Sequence, residues 1–539
     1  MLYLVLTISL LLIIISGLGK LYQHFVAFHE ERISTNILLG ISITTGIWTF
    51  LAFFVPINFI IEIIFCLLGL GSFIYFKIYK KLIYFFRRQS RFFYFCIATT
   101  LLAGSFYPFI LDHFGYYIPT ISWLKEFGIV KGISNLDMLL GQYSTWHIFQ
   151  SGFSTFVDTS LRINTFLIIV FIIYIFETRF WNGLIFAPFF FLFAQSPSPD
   201  LPILIFAFII IKDTFGYSRN ANFLFLLASF AMSIKPTSFW LLIFVFLYFW
   251  IVKRNRITTL LPGFCFLILY TIKNIWAFGH PFFPIGFPDL GLPWQPNSFL
   301  LEDSRQTSLE LSYDLQYSYE SIKNFTTWDY IVNWLNLDGI KGFINKAFVL
   351  SLISLLILAF IKKRKILSIL TLSIFLKSIL ILIFSAQYRL FLDVFLVLGI
   401  IVFSKTWYPF AKVAFTGMSV IIFWGLIFPK SLQTSIPSFK LGATIMAWEK
   451  FQLLRPAYFE LNQYKTHQIG NLKFNVVKNY PFSFDTPLPA ISPDYLNDYK
   501  KAGIFPQTAT QDLKSGFIWK KLSPKELQDL QQIINKTYP

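Results

Sequence analysis

The segment MLYLVLTISLLLIIIS (Met1–Ser16) contains no acidic or basic side chain, and the apolar run continues to Gly19. This length matters because a helix that crosses the hydrocarbon core of a bilayer needs about 20 apolar residues. Similar runs recur along the 539-residue chain, of which 56% is hydrophobic and 13% is charged. A soluble protein carries roughly twice that charged fraction. The sequence therefore predicts a protein that crosses a membrane many times.

The apolar runs predict an all-α polytopic fold. They lie at 1–19, 36–54, 59–76, 92–110, 163–177, 182–194, 201–211, 220–234, 237–252, 257–276, 343–361, 366–384, 390–404 and 412–428. We expect about 14 transmembrane helices, with roughly 11 to 14 compatible with the lengths of the runs. The first run lacks a preceding basic segment and a clear cleavage site, so we expect a retained helix rather than a signal peptide.

The basic residues alternate with these runs. Clusters such as 77–91 and 362–365 fall in odd-numbered connections, whereas the short even-numbered connections hold at most one basic residue. The positive-inside rule places the clusters in the cytoplasm. The termini and the long loops at 111–162 and 277–342 are then predicted to lie outside.

The formal charge of +18, from 45 basic and 27 acidic residues, belongs mostly to these clusters. We interpret it as a topology signal, and we expect the lipid bilayer and not nucleic acid to be the partner of these charges. The cysteines Cys66, Cys96 and Cys265 lie inside apolar runs and show neither a disulfide framework nor zinc-ligand spacing.

The runs and loops divide the chain into six parts. These are the first helices (1–110), an outer loop with interfacial helices (111–162), helices with a broken hairpin (163–276), a second outer loop (277–342), the last helices (343–428) and an outer domain (429–539). The outer domain is predicted to be small and α+β. Helix starts are expected at Ser492-Pro493-Asp494 and Ser523-Pro524, and a strand at 472–477.

The runs 182–194 and 201–211 are too short to cross about 30 Å of hydrocarbon as helices. They flank the sequence QSPSPD (Gln195–Asp200). We expect this hairpin to enter the membrane from outside and to line a cavity, because irregular backbone is tolerated at depth only in such a setting.

The first outer loop begins with LDHFGYYIPTISWLKEFGIV (Leu111–Val130). Pro119 is well placed to begin a helix, and Gly128 to end it. An aromatic belt at the interface is an alternative explanation for Tyr116 and Tyr117. It does not explain Asp112, because a carboxylate beside hydrocarbon is costly.

An Asp at the end of a span, followed by tyrosines and an amphipathic helix, resembles the first outer loop of GT-C glycosyltransferases. These enzymes take a sugar from a polyprenyl-phosphate carrier on the outer face of the membrane. The resemblance implies that Asp112 is the catalytic base or orienting group and that His113, Tyr116 and Tyr117 contact substrate. His113 replaces the usual second acid, so no metal ligands are assigned, although a divalent metal remains compatible with the resemblance.

A closer resemblance covers most of the chain. The motifs GISNLD (132–137), Ser144-Thr-Trp146, SPSPD (196–200), SIKPTS (233–238), AQYR (386–389), FDTPLP (484–489) and Gly516-Phe517 are similar to those of a family of uncharacterised bacterial multi-pass membrane proteins that itself resembles GT-C enzymes. This resemblance implies a bacterial cytoplasmic (inner) membrane location, with the active face and the tail in the periplasm.

Further candidate residues lie at the predicted outer face. Lys235 and Arg389 are suited to binding the carrier phosphate. The alternatives are that Lys235 extends to the interface and that Arg389 pairs with Asp393 four residues later. Asp200 is a candidate substrate-binding residue, although Asp is also common in turns.

The second outer loop contributes Asp289 and Trp294, which are suited to sugar hydroxyls and sugar rings but are equally compatible with a structural loop. Lys377 and Glu62 lie within apolar runs and have no obvious partner in the sequence.

Together these residues predict a membrane glycosyltransferase that uses a polyprenyl-linked sugar and a glycan, lipid or protein acceptor. One alternative is a polymerase or ligase of surface polysaccharide in the cell envelope. The non-enzymatic alternative is a flippase or transporter of lipid-linked glycans. The concentration of acids and cations at one face favours an enzyme, because a transporter more often carries ionisable groups along a path through the membrane.

Overall fold

The computed structural model describes residues 1–26, 32–217, 220–254, 257–435, 444–459, 463–478 and 480–537. Most of these residues are helical, and every predicted apolar run lies largely in helix. The first helices are Leu2–Val26, Ile33–Leu51, Phe59–Tyr75, Ile78–Arg87 and Arg91–Gly104. The first outer loop holds the π-helix His113–Tyr117, then Ile118–Glu126, Ile133–Leu136, the 3-10 helix Met138–Gln142, and Thr145–Ser151.

The central part of the bundle is broken more often than its ends. It contains Ile163–Thr178, Trp181–Phe186, Ala187–Phe193 (3-10), Asp200–Phe215, Ala221–Ile234, Pro236–Ser238 (3-10), Phe239–Leu247, Tyr248–Lys253 (π), Ile257–Leu260 (3-10) and Leu261–Phe278. The last helices of the bundle are Ile340–Lys362, Lys365–Phe384, Tyr388–Phe391 (3-10), Leu392–Val402, Tyr408–Ile427 and Pro429–Ser435.

Seven helices within the described ranges are long and apolar enough to cross a membrane. An eighth is added if Phe59–Tyr75 and Ile78–Arg87, which meet at 75°, count as one broken span. These helices are consistent with the predicted membrane protein. The basic connection 77–91 is not simply a loop, because most of it forms the amphipathic helix Ile78–Arg87. The second outer loop likewise contains the helices Ser298–Ser312, Tyr319–Lys323 and Thr327–Leu335.

Two sets of polar contacts join the helices to neighbouring segments. In one set, the Arg32 guanidinium, just before Ile33–Leu51, binds Asp213 with N–O distances of 2.9 and 2.7 Å. In the other set, the Glu62 carboxylate accepts hydrogen bonds of 2.9 to 3.2 Å from the amides of residues 155–157 in the first outer loop. Glu62 therefore has backbone partners, which its position inside an apolar run did not suggest.

The C-terminal domain contains two antiparallel hairpins, Tyr464–Ile469 with Leu472–Val477 and Ile504–Thr508 with Phe517–Lys521. Its helices are Lys450–Leu453 (3-10), Pro493–Ala502, Leu513–Ser515 (3-10) and Pro524–Thr537. The predicted strand at 472–477 and both predicted helix starts are confirmed. At Ser523, the amide and hydroxyl donate to the Glu526 carboxylate, and the Ser523 hydroxyl accepts from the Glu526 amide, which is the expected capping box.

This domain docks on the first outer loop through backbone and side-chain contacts. The Phe517 amide donates to the Lys131 carbonyl at 2.9 Å, and the Phe484 amide donates to the Phe114 carbonyl at 3.2 Å. The Asn135 amide donates to the Phe517 carbonyl at 3.2 Å. Motifs from distant parts of the chain therefore meet, and the C-terminal domain covers the loop that carries Asp112.

Candidate functional site

The Asp112 segment has an unusual helical geometry. His113–Tyr117 forms a π-helix that continues directly into the helix Ile118–Glu126. This matches the expected helix near Pro119, and Gly128 follows its end with φ of +78°. The helix was expected at the membrane interface, but Thr120, Ile121, Trp123 and Leu124 are buried by protein. π-Helical turns are rare and are frequent at functional sites.

Four predicted site residues form one group, which we call the Asp112 cluster: Asp112, Asp200, Lys235 and Arg389. A guanidinium nitrogen of Arg389 lies 3.4 Å from an Asp112 carboxylate oxygen. The Lys235 ammonium contacts the Asp200 carboxylate. The residues come from four separated segments: Asp112 precedes the π-helix His113–Tyr117, Asp200 begins a helix, Lys235 follows the end of one, and Arg389 lies in the 3-10 helix Tyr388–Phe391.

Two side-chain amides hold the broken hairpin that ends at Asp200. The amide nitrogen of Asn164 donates to the carbonyls of Phe193 and Ser198, both at 3.0 Å. The Gln195 amide donates to the carbonyls of Ala103 at 2.9 Å and Phe191 at 2.7 Å. These side chains supply donors to backbone carbonyls in and beside the hairpin, which is how buried irregular backbone is stabilised.

A second buried ion pair lies beside the cluster. The Lys377 ammonium contacts the Asp393 carboxylate, which also accepts a hydrogen bond from the Trp240 indole at 2.8 Å. The alternative that Arg389 pairs with Asp393 is therefore wrong, because Asp393 faces Lys377 and Arg389 faces Asp112. Neither Lys377 nor Asp393 was predicted as a site residue, and the only sequence signal was that both are charged within apolar runs.

The two groups line a common cavity between helices. Its walls include Asp200, Lys235, Lys377, Arg389 and Asp393, and its volume is about 10 Å³. That is roughly the room that one water molecule needs. The ion pairs therefore fill most of the space between these helices.

Two tyrosines and a histidine pack behind Asp112. The Tyr116 and Tyr117 rings lie 5.8 and 4.9 Å from the His147 ring. The Tyr117 hydroxyl donates to the Ser198 hydroxyl at 3.3 Å. His113 is buried, and its ring lies 5.0 Å from that of Phe114. Tyr117 thus contacts the broken hairpin, whereas His113 packs against aromatic rings.

Burial and nearby charges shift the pKa values of Asp112, Tyr116 and His147. Although 30% of the Asp112 side chain is exposed, surrounding protein and the nearby Asp200 raise its pKa, while Arg389 opposes the rise. Burial and then the Asp112 charge raise the pKa of Tyr116 well above its ordinary value. Burial lowers the pKa of His147 to about 3. At neutral pH, Tyr116 therefore keeps its proton and His147 is neutral.

Asp289 and Trp294 make their contacts elsewhere. The exposed Asp289 accepts a hydrogen bond of 2.9 Å from the Gly291 amide in its own turn. The Trp294 indole donates to the Ile275 carbonyl at 3.1 Å, and the Trp294 carbonyl accepts from Asn135 at 2.9 Å. These contacts favour the structural alternative for the second outer loop.

The carboxylates of the cluster do not form a protein metal cage. Within the described ranges, no group of three or more His, Cys, Asp or Glu side chains is close enough to hold a metal ion. Asp112 and Asp200 each contact a cation of the protein instead. The described residues therefore do not fit a complete metal site.

The long apolar helices are consistent with a polytopic membrane protein, and the paired acids and cations form a charged site between helices. Residues 1–396 match the family described as "Domain of unknown function (DUF8201)", and the chain belongs to this family. The match includes the whole Asp112 cluster and Asp393, whereas the C-terminal domain lies beyond it. No curated protein and no solved structure matches the chain.

Proposed function

We propose that the protein is an integral membrane glycosyltransferase of GT-C type that uses a polyprenyl-phosphate-linked sugar. The observation that carries the proposal is the Asp112 cluster, where two carboxylates and two cations from separate segments meet at one end of the bundle. Cations suited to a phosphate and a carboxylate suited to an acceptor hydroxyl are the groups that this reaction needs.

In the proposed reaction, Arg389 and Lys235 bind the carrier phosphate. The phosphate competes with Asp112 for Arg389 and leaves the carboxylate free to accept the proton of the acceptor hydroxyl. The bond from the acceptor oxygen to the sugar C1 forms while the C1–O bond to phosphate breaks. The polyprenyl phosphate leaves with the electron pair of that bond, and Tyr116 is available as a hydrogen-bond donor.

The proposal includes a topology of about 14 membrane-embedded helical segments, some too short to cross the bilayer as straight helices. The cluster, both long loops and the C-terminal domain would face the periplasm of a bacterial inner membrane. The alternation of basic connections supports this orientation. The acceptor is proposed to be a glycan, lipid or protein of the cell envelope.

The first test is Asp112→Asn, which keeps the side-chain size but removes the base. We expect it to abolish glycan transfer in cells while expression and membrane insertion stay normal. Asp329→Asn is the matched control, because Asp329 is a partly exposed carboxylate that caps a helix in the second outer loop. Full transfer by Asp112→Asn would refute the proposal, whereas co-purification of a polyprenyl-phosphate sugar would support it.

The Lys377–Asp393 pair favours a second candidate function, movement of a lipid-linked glycan across the membrane. Ionisable pairs inside apolar helices often mark transport paths. Proteoliposomes with a labelled lipid-linked sugar separate the two functions. Flipping of the label without transfer to any acceptor would favour a flippase, and products of increasing length would favour a polymerase.

A further inference from the structure

The sequence KKRK (Lys362–Lys365) forms the turn between two long helices, Ile340–Lys362 and Lys365–Phe384. Its side chains are divided between two cavities. Lys362 and Arg364 line a cavity of about 190 Å³, whereas Lys363 and Lys365 line an open apolar groove on the other side. From this arrangement we propose that the smaller cavity, together with Lys212, binds the phosphate headgroup of an anionic membrane lipid.

This cavity lies at the end of the bundle opposite the Asp112 cluster. The helix Asp200–Phe215 has Asp200 at one end and Lys212 at the other. The helix Lys365–Phe384 is 20 residues long, which corresponds to about 30 Å, and it begins beside Arg364 and ends just before Arg389. The proposed lipid site is therefore distinct from the site of the proposed transferase and does not depend on that chemistry.

The three cations are not neutralised by nearby acids. Asp213, which follows Lys212, is bound by Arg32 and accepts a hydrogen bond of 2.7 Å from the Tyr174 hydroxyl. Among the ion pairs of the described residues, none involves Lys212, Lys362 or Arg364. Three cations around one cavity attract an anion, and Arg adds the planar donor pair that suits phosphate oxygens.

The apolar residues of the cavity favour a lipid over a free ion as the ligand. Ile211, Leu367, Ile400 and Ile401 line it and are buried. An acyl chain can cover this apolar surface while the headgroup meets the cations at the rim. Basic pockets between helices at a membrane surface bind anionic headgroups in this way.

The test measures binding of a fluorescent short-chain phosphatidylglycerol to the full-length protein in neutral detergent. The double variant Lys362→Gln/Arg364→Gln should weaken binding by roughly 30-fold, since each cation near an anionic headgroup contributes about a factor of five. Lys363→Gln/Lys365→Gln is the matched control, because it removes the same charge from the same turn on the side of the open groove. We expect the control to bind within about twofold of the wild-type protein.

Competition experiments separate a lipid site from a phosphate site. Phosphatidylcholine and millimolar inorganic phosphate should both fail to displace the probe. Displacement by inorganic phosphate would overturn the lipid assignment, and equal weakening in both double variants would overturn the assignment to this cavity. Lys212→Gln alone provides a milder test if the double variant unfolds, and unchanged binding by a folded Lys212→Gln protein would also contradict the proposal.

Discussion

At the scale of single residues, the contact between Asp112 and Arg389 influences whether Asp112 carries its negative charge. Protein surrounding Asp112 and the neighbouring Asp200 raise the pKa of Asp112, while Arg389 lowers it. A base whose pKa lies closer to neutrality accepts a proton more readily in the transition state. The same cation that is proposed to bind phosphate therefore also adjusts the proposed base.

Arg389→Gln should shift the pH dependence of transfer. Loss of the cation removes the influence that lowers the pKa of Asp112, so this pKa rises further. Because only the deprotonated carboxylate acts as a base, the acidic limb of the kcat/KM profile should move to higher pH. Arg389→Lys should return that limb most of the way to its wild-type pH. A limb that does not move in Arg389→Gln would show that Asp112 is not the group that titrates.

Lys377→Met should destabilise the protein because it leaves Asp393 buried without its cation. Breaking a buried ion pair from one side costs about 3–5 kcal/mol. Lys377→Met/Asp393→Asn should recover much of this loss, since the amide oxygen can still accept from Trp240. Thermal unfolding in detergent measures both variants. A double variant that is less stable than Lys377→Met would contradict this account of the pair.

The residues of the cluster were predictable, but their contacts were only partly so. Asp112, Asp200, Lys235 and Arg389 are ionisable groups at the ends of apolar runs, where a structural role is expensive. Which cation meets which acid depends on how each helix is rotated about its axis, and a single sequence does not encode that visibly. For this reason the neighbour Asp393 was a natural but wrong partner for Arg389.

At the scale of elements, the Asn164 side chain makes several of the contacts that hold the broken hairpin. Asn164 donates to two hairpin carbonyls at 3.0 Å and accepts from the Trp146 indole at 2.7 Å. Asn164→Leu should leave three buried groups unpaired, at a cost of about 1–3 kcal/mol for each. We expect a clear loss of thermal stability, whereas Asn297→Ala, at a partly exposed helix cap, should lose about 1 kcal/mol. Equal losses would show that Asn164 does not hold the hairpin.

The docking of the C-terminal domain should depend on pH through Asp137. Its carboxylate accepts from the Ser492 amide at 3.0 Å and hydroxyl at 2.6 Å, yet burial raises its pKa from 3.8 to about 6. Because the pKa of Asp137 is higher in the folded state than in the unfolded state, protonated Asp137 stabilises docking at a pH below the unfolded-state pKa. This contribution is lost as the pH rises through about 6. The difference in unfolding temperature between the wild-type protein and Asp137→Asn should therefore fall between about pH 4 and 6 and stay level above.

The control for this pH effect is Asp512→Asn, which changes an exposed carboxylate that caps a local turn in the same domain. The difference in unfolding temperature between Asp512→Asn and the wild-type protein should stay constant between about pH 4 and 6. A flat difference for Asp137→Asn as well would show that Asp137 keeps an ordinary pKa.

Elements were more predictable than residue contacts because local signals define them. Proline at the first turn, Ser523 with Glu526, and the length of an apolar run each act within a few residues. The helix Ile78–Arg87 was not predicted, because a cluster of basic residues between two apolar runs is typical of a connecting loop. Its apolar residues do recur with a helical period, which is the signal that was available. The docking of the C-terminal domain had no local signal, since Asp137 and Ser492 are far apart in the chain.

At the scale of the whole molecule, the helices connect two ends with different charge. The Asp112 cluster, the second outer loop and the C-terminal domain lie at one end, where Asn135 joins Trp294 to Phe517. The basic turn Lys362–Lys365 lies at the other end. We propose that the end with the basic turn faces the cytoplasm, because the positive-inside rule places clusters of Lys and Arg on that side of the membrane.

This orientation predicts which engineered cysteines are reached from outside intact cells. In a background without Cys66, Cys96 and Cys265, a membrane-impermeant maleimide should label Thr307→Cys before permeabilisation. It should label Ser404→Cys only afterwards, because Ser404 lies beside the basic turn, and both positions are exposed in the fold. The reverse pattern would place the Asp112 cluster in the cytoplasm. An outer-face transfer reaction would then be refuted, while the lipid cavity, whose argument rests on charge and apolar lining alone, would keep its support.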